Sequence, residues 1–372
     1  MTGPHHAIAA TRVAVRKVLG EIRRAHPGAL VLVGCSGGAD SLALAAAVAF
    51  EVPRTGLSAG AVIVDHDLQE GSLAVAGRAA DQCRGLGLDP VEVVTVHVGS
   101  SGNGNGNGNR NGRGNGNGNA ETDGSTDGAS RRKGNRSGSG PESRARDARY
   151  GAFAEVADRV GAVAVLLGHT RDDQAEQVLL GLARGSGTRS LSGMPARRGP
   201  YVRPFLGVAR VTTVAACEAA GLTAWVDPHN SDPAYGRVRA RALLPVLEAE
   251  LGPGAVAALA RSADLLRQDA DTLDALAAEI RGELGQRVGP DGQGGIEAAA
   301  LRRLPKAIRT RVWRLLAVEA GSPPGALVSG HIDSLDTLVT GWRGQGPIDL
   351  PGSVQASRTD GRVLVAGSRR VE

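Results

Sequence analysis

Short apolar runs alternate with longer periodic segments through the first half of the chain. Four valine-rich runs contain one charged residue among them, Glu92, and predict buried strands of a parallel sheet. The runs are residues 29–35, 61–64, 91–96 and 162–167. The segments between them that are long enough for crossover helices are residues 39–50, 72–86 and 142–160. This alternation predicts a doubly wound α/β domain built on a parallel sheet.

The second half of the chain has helical periodicity instead. Helices are predicted at residues 207–220, 238–250 and 255–283. The apolar stripe of the longest helix is expected to consist of Leu259, Leu265, Leu266, Leu273 and Leu276. A small α+β unit is predicted to follow, with a helix at 296–319 and a terminal hairpin at 347–366 that turns at Asp360 and Gly361.

One stretch, residues 99–141, follows neither pattern. Glycine and asparagine fill more than half of it, and its only hydrophobic side chains are Ala120 and Ala129. It is predicted to be disordered, because it cannot offset the entropy of ordering by burial. The expected organisation is therefore an α/β domain interrupted by this insertion, a helical linker and a small C-terminal domain. The corresponding ranges are 1–98 with 142–235, then 99–141, 236–290 and 291–372.

The charge of the chain is a weak indicator of its partners. The formal net charge is +5, but most of that excess lies in the insertion and the segment that follows it. The rest of the chain is nearly neutral, so any nucleic-acid contact must come from a local patch.

The three cysteines and the apolar runs exclude several protein classes. Cys35, Cys83 and Cys217 lie far apart with no CxxC pair, which disfavours a structural zinc, an iron–sulfur site or a disulfide framework. No run of 18 apolar residues and no leader-like segment is present, so a cytoplasmic protein without a membrane partner is expected.

The strongest chemical signal is a loop that follows the first predicted strand and opens a helix. It consists of Ser36, Gly37, Gly38, Ala39, Asp40 and Ser41. Two glycines let the backbone approach an anion, the serines add hydroxyl donors, and the helix N-terminus adds free N–H groups. The pattern is neither a Walker A loop nor GxGxxG, but it predicts a phosphate site.

This loop resembles the pyrophosphate-binding loop, SGGxDS, of the N-type ATP pyrophosphatases. Further segments resemble motifs of one family in that superfamily, the tRNA(Ile)-lysidine synthetases. They are VDHDL at 64–68, RYGAF at 149–153, GHTRDDQAEQ at 168–177, LARGSG at 182–187, RPFL at 203–206 and WVDPHNSD at 225–232. The resemblance covers about residues 30–250 and continues more weakly in LRRLPKAIRTRVWRLL and DLPGS, which resemble that family's compact substrate-binding domain and imply that residues 291–372 bind the tRNA substrate. The insertion departs from the family pattern. The arginine-rich element of this chain, RVRAR at 237–241, is one residue shorter before the following LLP than the family's element. Which of its arginines matches which arginine of the family is therefore left open.

The resemblance implies a reaction and its partners. ATP would adenylate O2 of the wobble cytidine in a tRNA(Ile) with anticodon CAU, releasing pyrophosphate, and the amine of free L-lysine would then displace AMP at C2. The codon read would change from AUG to AUA. Mg²⁺ is expected beside the phosphates. The sequence is also compatible with a homodimer.

Four residues are the candidates for catalysis: Asp40, Asp172, Asp173 and His169. Asp40 would repel phosphate unless a cation lay between them, so it is expected to hold Mg²⁺, with helix capping as the alternative. Asp172, Asp173 and Glu176 lie at the start of a helix with carboxylates on one side, where Asp173 and Glu176 are expected to bind the lysine. His169 ends a strand at the same edge and is expected to act there, with a structural role as the alternative.

The remaining candidates would bind the nucleotide and the RNA. Asp65 and His66 end the second strand where the adenosine should lie, and Arg149 could reach the α-phosphate. Four arginines are candidates for tRNA contact: Arg203, Arg237, Arg239 and Arg241. A solvated basic face is the alternative interpretation of the last three.

Other functions share parts of this pattern. A tRNA 2-thiocytidine synthetase has the same loop but needs clustered cysteines, and a GMP or NAD synthetase would lack the arginine-rich element. An ATP-binding RNA-associated module without catalysis is the hypothesis from a different class. Lysine-dependent release of AMP would decide between that module and the synthetase.

Overall fold

The computed structural model describes residues 4–66, 71–96, 141–185, 187–227, 232–285 and 295–367. Apart from Pro141, the insertion predicted to be disordered lies outside these residues, and so does the Pro228–Ser231 part of the WVDPHNSD segment.

The N-terminal unit is built on a six-stranded sheet. Its strands are β1 (Leu30–Gly34), β2 (Ser58–Asp65), β3 (Val91–Thr95), β4 (Ala162–Leu167), β5 (Arg197–Arg198) and β6 (Tyr201–Val202). Its helices are α1 (His6–Ala25), α2 (Ala39–Glu51), α3 (Ser72–Gly85), α4 (Pro141–Val160), α5 (Arg171–Ala183), α6 (Thr188–Leu191) and α7 (Arg210–Ala219). The four predicted strands and three crossover helices are confirmed to within a few residues.

The strand order is β3-β2-β1-β4-β6-β5, and every pair except β5–β6 is parallel. Helices α1, α2, α3 and α7 share a core on one face, while α4 packs on the other through Phe153 and Val156. The predicted doubly wound α/β class is therefore confirmed. The edge strand β3 is only half-buried, and its Glu92 forms an ion pair with Arg159 on α4.

The first helix, α1, is not among the elements predicted from the sequence. Its buried positions include Val15, Leu19 and Ile22, which lie three or four residues apart and form one apolar face. That face packs on α2 and α7. The pattern that identifies α1 is thus present in the sequence.

Two helices connect the sheet domain to the C-terminal unit. They are α8 (Gly236–Glu250) and α9 (Ala255–Leu284). The predicted leucine stripe on α9 is wrong in part, because Leu265 and Leu276 are 62% and 43% exposed. The buried positions are Val256, Ala260, Ala263, Ala270 and Ala277. Small side chains let the helix pack closely on its neighbours, which include α5 and α6.

The C-terminal unit packs its helices and a small sheet around a second core. Its helices are α10 (Ala298–Arg303), α11 (Lys306–Glu319) and α12 (Ser329–Thr340), and its strands are β7 (Ile296–Glu297), β8 (Ile348–Leu350), β9 (Val354–Thr359) and β10 (Arg362–Gly367). The strands form an antiparallel sheet in the order β7-β10-β9-β8, which confirms the terminal hairpin.

The single helix predicted at 296–319 is wrong. Leu304 and Pro305 have extended backbone, with ψ values of 141° and 143°, and divide the segment into α10 and α11. A residue before proline avoids helical backbone, so Pro305 ends one helix and caps the next. Among the described residues, no single helix is long and apolar enough to span a membrane; only the bent pair α8–α9, taken together, has the necessary length and composition.

Candidate active site

The candidate site lies where the strand order of the sheet reverses. Strands β2 and β3, which follow β1 in the chain, lie on one side of it in the sheet. The next strand, β4, pairs with the other side of β1. The carboxyl ends of β1 and β4 therefore flank a crevice, which is where open α/β sheets bind ligands. The loop predicted to bind phosphate follows β1, and His169 follows β4.

The phosphate loop is held by its own two serines. The Ser36 backbone N–H donates to Oγ of Ser41 over 3.1 Å, and the Ser41 hydroxyl donates to the Gly38 carbonyl over 2.9 Å. Gly37 has a φ of +79°, and a Cβ there would lie 3.3 Å from that of Ala79. The loop conformation thus requires glycine at this position, directly before the N-terminus of α2.

Gly168 brings the two sides of the crevice together. A Cβ at this position would lie 3.0 Å from the carbonyl oxygen of Asp40 and 3.1 Å from the backbone nitrogen of Ser41. Only glycine permits so close an approach of two backbones. The start of α2 and the residues before α5 are therefore adjacent.

The carboxylates of α5 are bound by basic side chains from other elements. Asp173 closes a capping box with Thr170, whose backbone N–H and hydroxyl donate to it over 2.7 and 2.9 Å. Arg210, the first residue of α7, donates to Asp173 over 2.6 Å and to Glu176 over 2.9 Å. Arg241 on α8 donates to Glu176 over 2.8 Å. Burial acts to raise the pKa of Asp173, but the charge of Arg210 and the hydrogen bonds from Thr170, with a smaller effect of His169, together bring the pKa below its usual value.

Asp40 and Asp172 complete this acid cluster. The Arg210 backbone N–H donates to Asp172 over 2.8 Å, and its Nε lies 3.5 Å from a carboxylate oxygen of Asp40. The Thr213 hydroxyl also donates to Asp40. Burial raises the pKa of Asp40, against the opposing effects of Thr213 and Arg210. With Asp173 and Glu176, the cluster has four carboxylates against two guanidiniums, a formal excess of negative charge.

That excess and the position of Asp40 fit the expected magnesium ion. Asp40 lies in the phosphate loop itself, and Mg²⁺ is commonly held by one or two carboxylates together with substrate phosphates and water. The described residues contain no group of three or more His, Cys, Asp or Glu side chains that could hold a metal alone. The donor set therefore fits a metal that arrives with the nucleotide.

The adenosine candidates lie beside the phosphate loop. Arg149 donates from Nε to Nε2 of His66 over 3.1 Å, and Asp65 is buried at the end of β2. Burial lowers the pKa of His66, and the positive charge of Arg149 lowers it further. Burial also lowers the pKa of His169, to about 4. The buried Nδ1 atoms of both histidines have no hydrogen-bond partner among the described residues.

The arginines predicted to bind tRNA fall into two groups. Arg239 is exposed and Arg237 is half-exposed near the start of α8, and the charge of Arg237 acts on both Arg149 and His169. These two positions are compatible with RNA contact. Arg241 instead pairs with Glu176 in the acid cluster.

The prediction for Arg203 is corrected by its burial. This side chain is 4% exposed, and it donates to the Pro195 carbonyl over 2.9 Å and to the Tyr150 hydroxyl over 3.1 Å. A guanidinium enclosed in this way cannot reach a phosphate backbone, so Arg203 stabilises the packing of α4 against the sheet instead.

Sequence reasoning missed Arg210 and Thr213, although one signal was present. An arginine at the start of a predicted helix opposes the helix dipole, so it needs a compensating partner. The structure supplies that partner as the carboxylates of α5 and Asp40.

The phosphate loop at the switch point of a parallel sheet defines a PP-loop protein. A model of the PP-loop domain matches residues 125–247, and a model of the TilS substrate binding domain matches residues 297–364. The tRNA(Ile)-lysidine synthases of Thermobifida fusca and Streptomyces coelicolor are each 49% identical to this chain, over 98% of it and 99% of the relative. The chain belongs to the tRNA(Ile)-lysidine synthase family.

One solved structure shows the same fold at greater distance. It is the U34-tRNA thiolase NcsA from Methanococcus maripaludis with its [4Fe-4S] cluster, which is 18% identical to this chain. The TM-score is 0.50, and the match covers 70% of this chain and 80% of that one. At this identity the likeness shows the fold alone.

Proposed function

We propose that this chain is a tRNA(Ile)-lysidine synthase acting in the cytoplasm, which ligates free L-lysine to C2 of the wobble cytidine of a CAU-anticodon tRNA(Ile). The observation that carries the proposal is the acid cluster next to the phosphate loop, with Asp40 joined to α5 through Arg210. Family membership supports the same function.

In the first step the cytosine O2 attacks the α-phosphorus of ATP and pyrophosphate leaves. The N-terminus of α2 and the Ser36 hydroxyl bind the phosphates, where preorganised donors stabilise the developing charge, and Ser41 holds the loop through its bond to Gly38. Asp40 would hold Mg²⁺, which supplies further stabilisation of that charge. Arg149 and His66 line the adenosine side of the crevice.

In the second step the lysine amine forms the C–N bond at C2, and AMP leaves with the O2 oxygen. Asp173 binds the amine as an ammonium and fixes its position, and the more deeply buried Glu176 adds its negative charge to the lysine site. The amine must lose a proton to attack, and a carboxylate of the cluster accepts it. We assign that part to Asp172, which accepts one hydrogen bond from the Arg210 backbone. His169, with its pKa near 4, is neutral and lies near Asp173.

The chemistry of the cysteines disfavours the 2-thiocytidine alternative. Cys35, Cys83 and Cys217 are each at most 2% exposed. Sulfur transfer needs thiols that reach the substrate, whereas these three are enclosed in the core of the sheet domain.

The test is an incorporation assay with the full chain, ATP, Mg²⁺, radiolabelled lysine and a tRNA(Ile) transcript with anticodon CAU. The proposal predicts label in the tRNA, with one AMP released for each lysine. A transcript with uridine at the wobble position is the matched control and should take no label. Release of AMP without lysine incorporation would contradict the proposal, as would ATP binding with no turnover.

A further inference from the structure

Arg210 has a combination of contacts that no other described side chain of the site has. Its guanidinium binds Asp173 and Glu176 on α5 and lies 3.5 Å from Asp40 at the phosphate loop, while its backbone N–H binds Asp172. One residue thus touches all four carboxylates of the acid cluster.

A positive charge at the location of Arg210 would lower the stability of the fold if the carboxylates of the cluster did not compensate it. It is the first residue of α7, where the helix dipole disfavours a positive charge, and its side chain is only 21% exposed. Burial lowers the pKa of Arg210, but the charges of Asp173 and Glu176 raise it by more, so the guanidinium remains charged. Its planar shape lets separate nitrogens bind separate carboxylates, which an ammonium cannot do.

Without this cation the carboxylates would repel one another. Asp173 has a second fixed attachment, the Thr170 capping box, and Glu176 has Arg241. Neither attachment reaches Asp40. Arg210 is therefore the side chain that links the α5 carboxylates to the carboxylate of Asp40.

We propose that Arg210 is a positioning residue, which holds Asp173 and Glu176 in the arrangement that binds the lysine ammonium and fixes them relative to Asp40. That the bound cation is the ammonium of lysine rests on the proposed function. The proposal adds that Arg210 stays in the cluster during the reaction, together with Arg241, and that the substrate lysine binds beside it.

The experiment compares Arg210→Met, which removes the charge, with Arg210→Lys, which keeps the charge and loses the planar fork. Both are assayed in the full chain with ATP, Mg²⁺ and CAU-anticodon tRNA(Ile), at a temperature where each variant is folded. We expect Arg210→Met to raise the KM for lysine at least tenfold. Arg210→Lys should raise it less, because charge alone restores part of the arrangement.

A matched control separates positioning from stability. Arg16 makes two hydrogen bonds, of 2.9 and 2.8 Å, to Glu51, which is 1% exposed in the same domain but outside the crevice. Arg16→Met should lower Tm without changing the KM for lysine. A KM within twofold of wild type for both Arg210 variants would overturn the proposal. If Arg210→Met does not fold, Arg210→Lys is used alone, and a KM for lysine within twofold of wild type overturns the proposal.

A double variant tests whether Arg210 acts through Glu176. If it does, Arg210→Met combined with Glu176→Gln should raise the KM for lysine no further than the more severe single variant. If the KM increases of the two single variants multiply in the double variant, Arg210 and Glu176 act independently, and this result would contradict the proposal. Calorimetric binding of lysine, with Mg²⁺ and a non-hydrolysable ATP analogue, gives a readout independent of turnover. A wild-type chain that binds lysine but incorporates none would therefore count against the proposed function and not against the role of Arg210.

Discussion

Arg210 in the N-terminal unit and Arg309 in the C-terminal unit each bind carboxylates through a largely buried guanidinium. Arg309 donates twice to a single carboxylate, Asp336, over 2.6 and 3.0 Å, and Trp313 donates to the same group over 3.1 Å. This pair balances one positive charge with one negative charge. The acid cluster around Arg210 instead has more carboxylates than guanidiniums.

The difference separates a structural ion pair from a binding site. Burial acts to raise the pKa of Asp336, but its hydrogen bonds from Arg309 and Trp313 bring the pKa below its usual value, so the pair stays ionised and satisfied. A balanced, buried pair has no unfilled capacity for a ligand. A cluster with surplus negative charge at the open edge of a sheet can still bind a cation.

The largest expected effect is the loss of activity on removing a charge at the phosphate loop. Asp40→Asn should reduce lysine incorporation at least 100-fold, because the amide cannot hold Mg²⁺ as a carboxylate does. Its oxygen can still accept from Thr213, so Tm should change little. Asp81→Asn, on the exposed face of α3, is the control. Activity of Asp40→Asn within threefold of wild type would refute the site.

A second effect is on the pH dependence of stability. The folded pKa of His169 is about 4, below its ordinary value of 6.5, so its contribution to stability is present above pH 6.5 and is lost as the pH falls toward 4. His169→Gln should therefore flatten the fall in Tm between pH 6.5 and 4. The exposed His26→Gln is the control. An unchanged pH profile in His169→Gln would contradict the burial of a neutral imidazole here.

A smaller effect is expected on tRNA binding. If Arg237 and Arg239 bind phosphates, replacing both by Ala should lower the slope of log K against log salt by about 0.7 to 0.9 for each phosphate that is no longer neutralised. ATP binding should persist, since the phosphate loop belongs to another element. The control variant is Arg23→Ala with Arg24→Ala, which removes two positive charges at the end of α1 instead of α8. Equal slopes for wild type and the Arg237 and Arg239 variant would identify a solvated helix face.

The smallest effect is expected from the glycine- and asparagine-rich segment. Deleting residues 100–140 should leave Tm and lysine incorporation nearly unchanged, because each doubling of loop length costs only about 0.6 kcal/mol. Differential scanning calorimetry would check this, and a fall of many degrees would show that the segment contributes to the folded core.

The sheet and the phosphate loop could be predicted because their signals are local. Valine-rich runs indicate strands, and SGGADS directly follows the first of them. The break at Pro305 is also locally encoded, although helical periodicity on both sides of it favours one continuous helix. The ion pairs of the acid cluster could not be predicted, because their partners are far apart in sequence. Arg210 lies 34 residues from Glu176, and Arg241 lies 65 residues from it.

The central claim is tested most directly by isosteric substitutions in the two clusters. Asp173→Asn and Asp336→Asn each remove one charge from a carboxylate bound by arginine. For each variant, Tm and kcat/KM for lysine are measured together, the latter well below Tm. We predict that Asp173→Asn lowers kcat/KM at least 100-fold with a small change in Tm. Asp336→Asn should destabilise the fold by about 3 kcal/mol and leave kcat/KM unchanged. A folded Asp336→Asn variant as inactive as Asp173→Asn, or a fully active Asp173→Asn variant, would contradict the account.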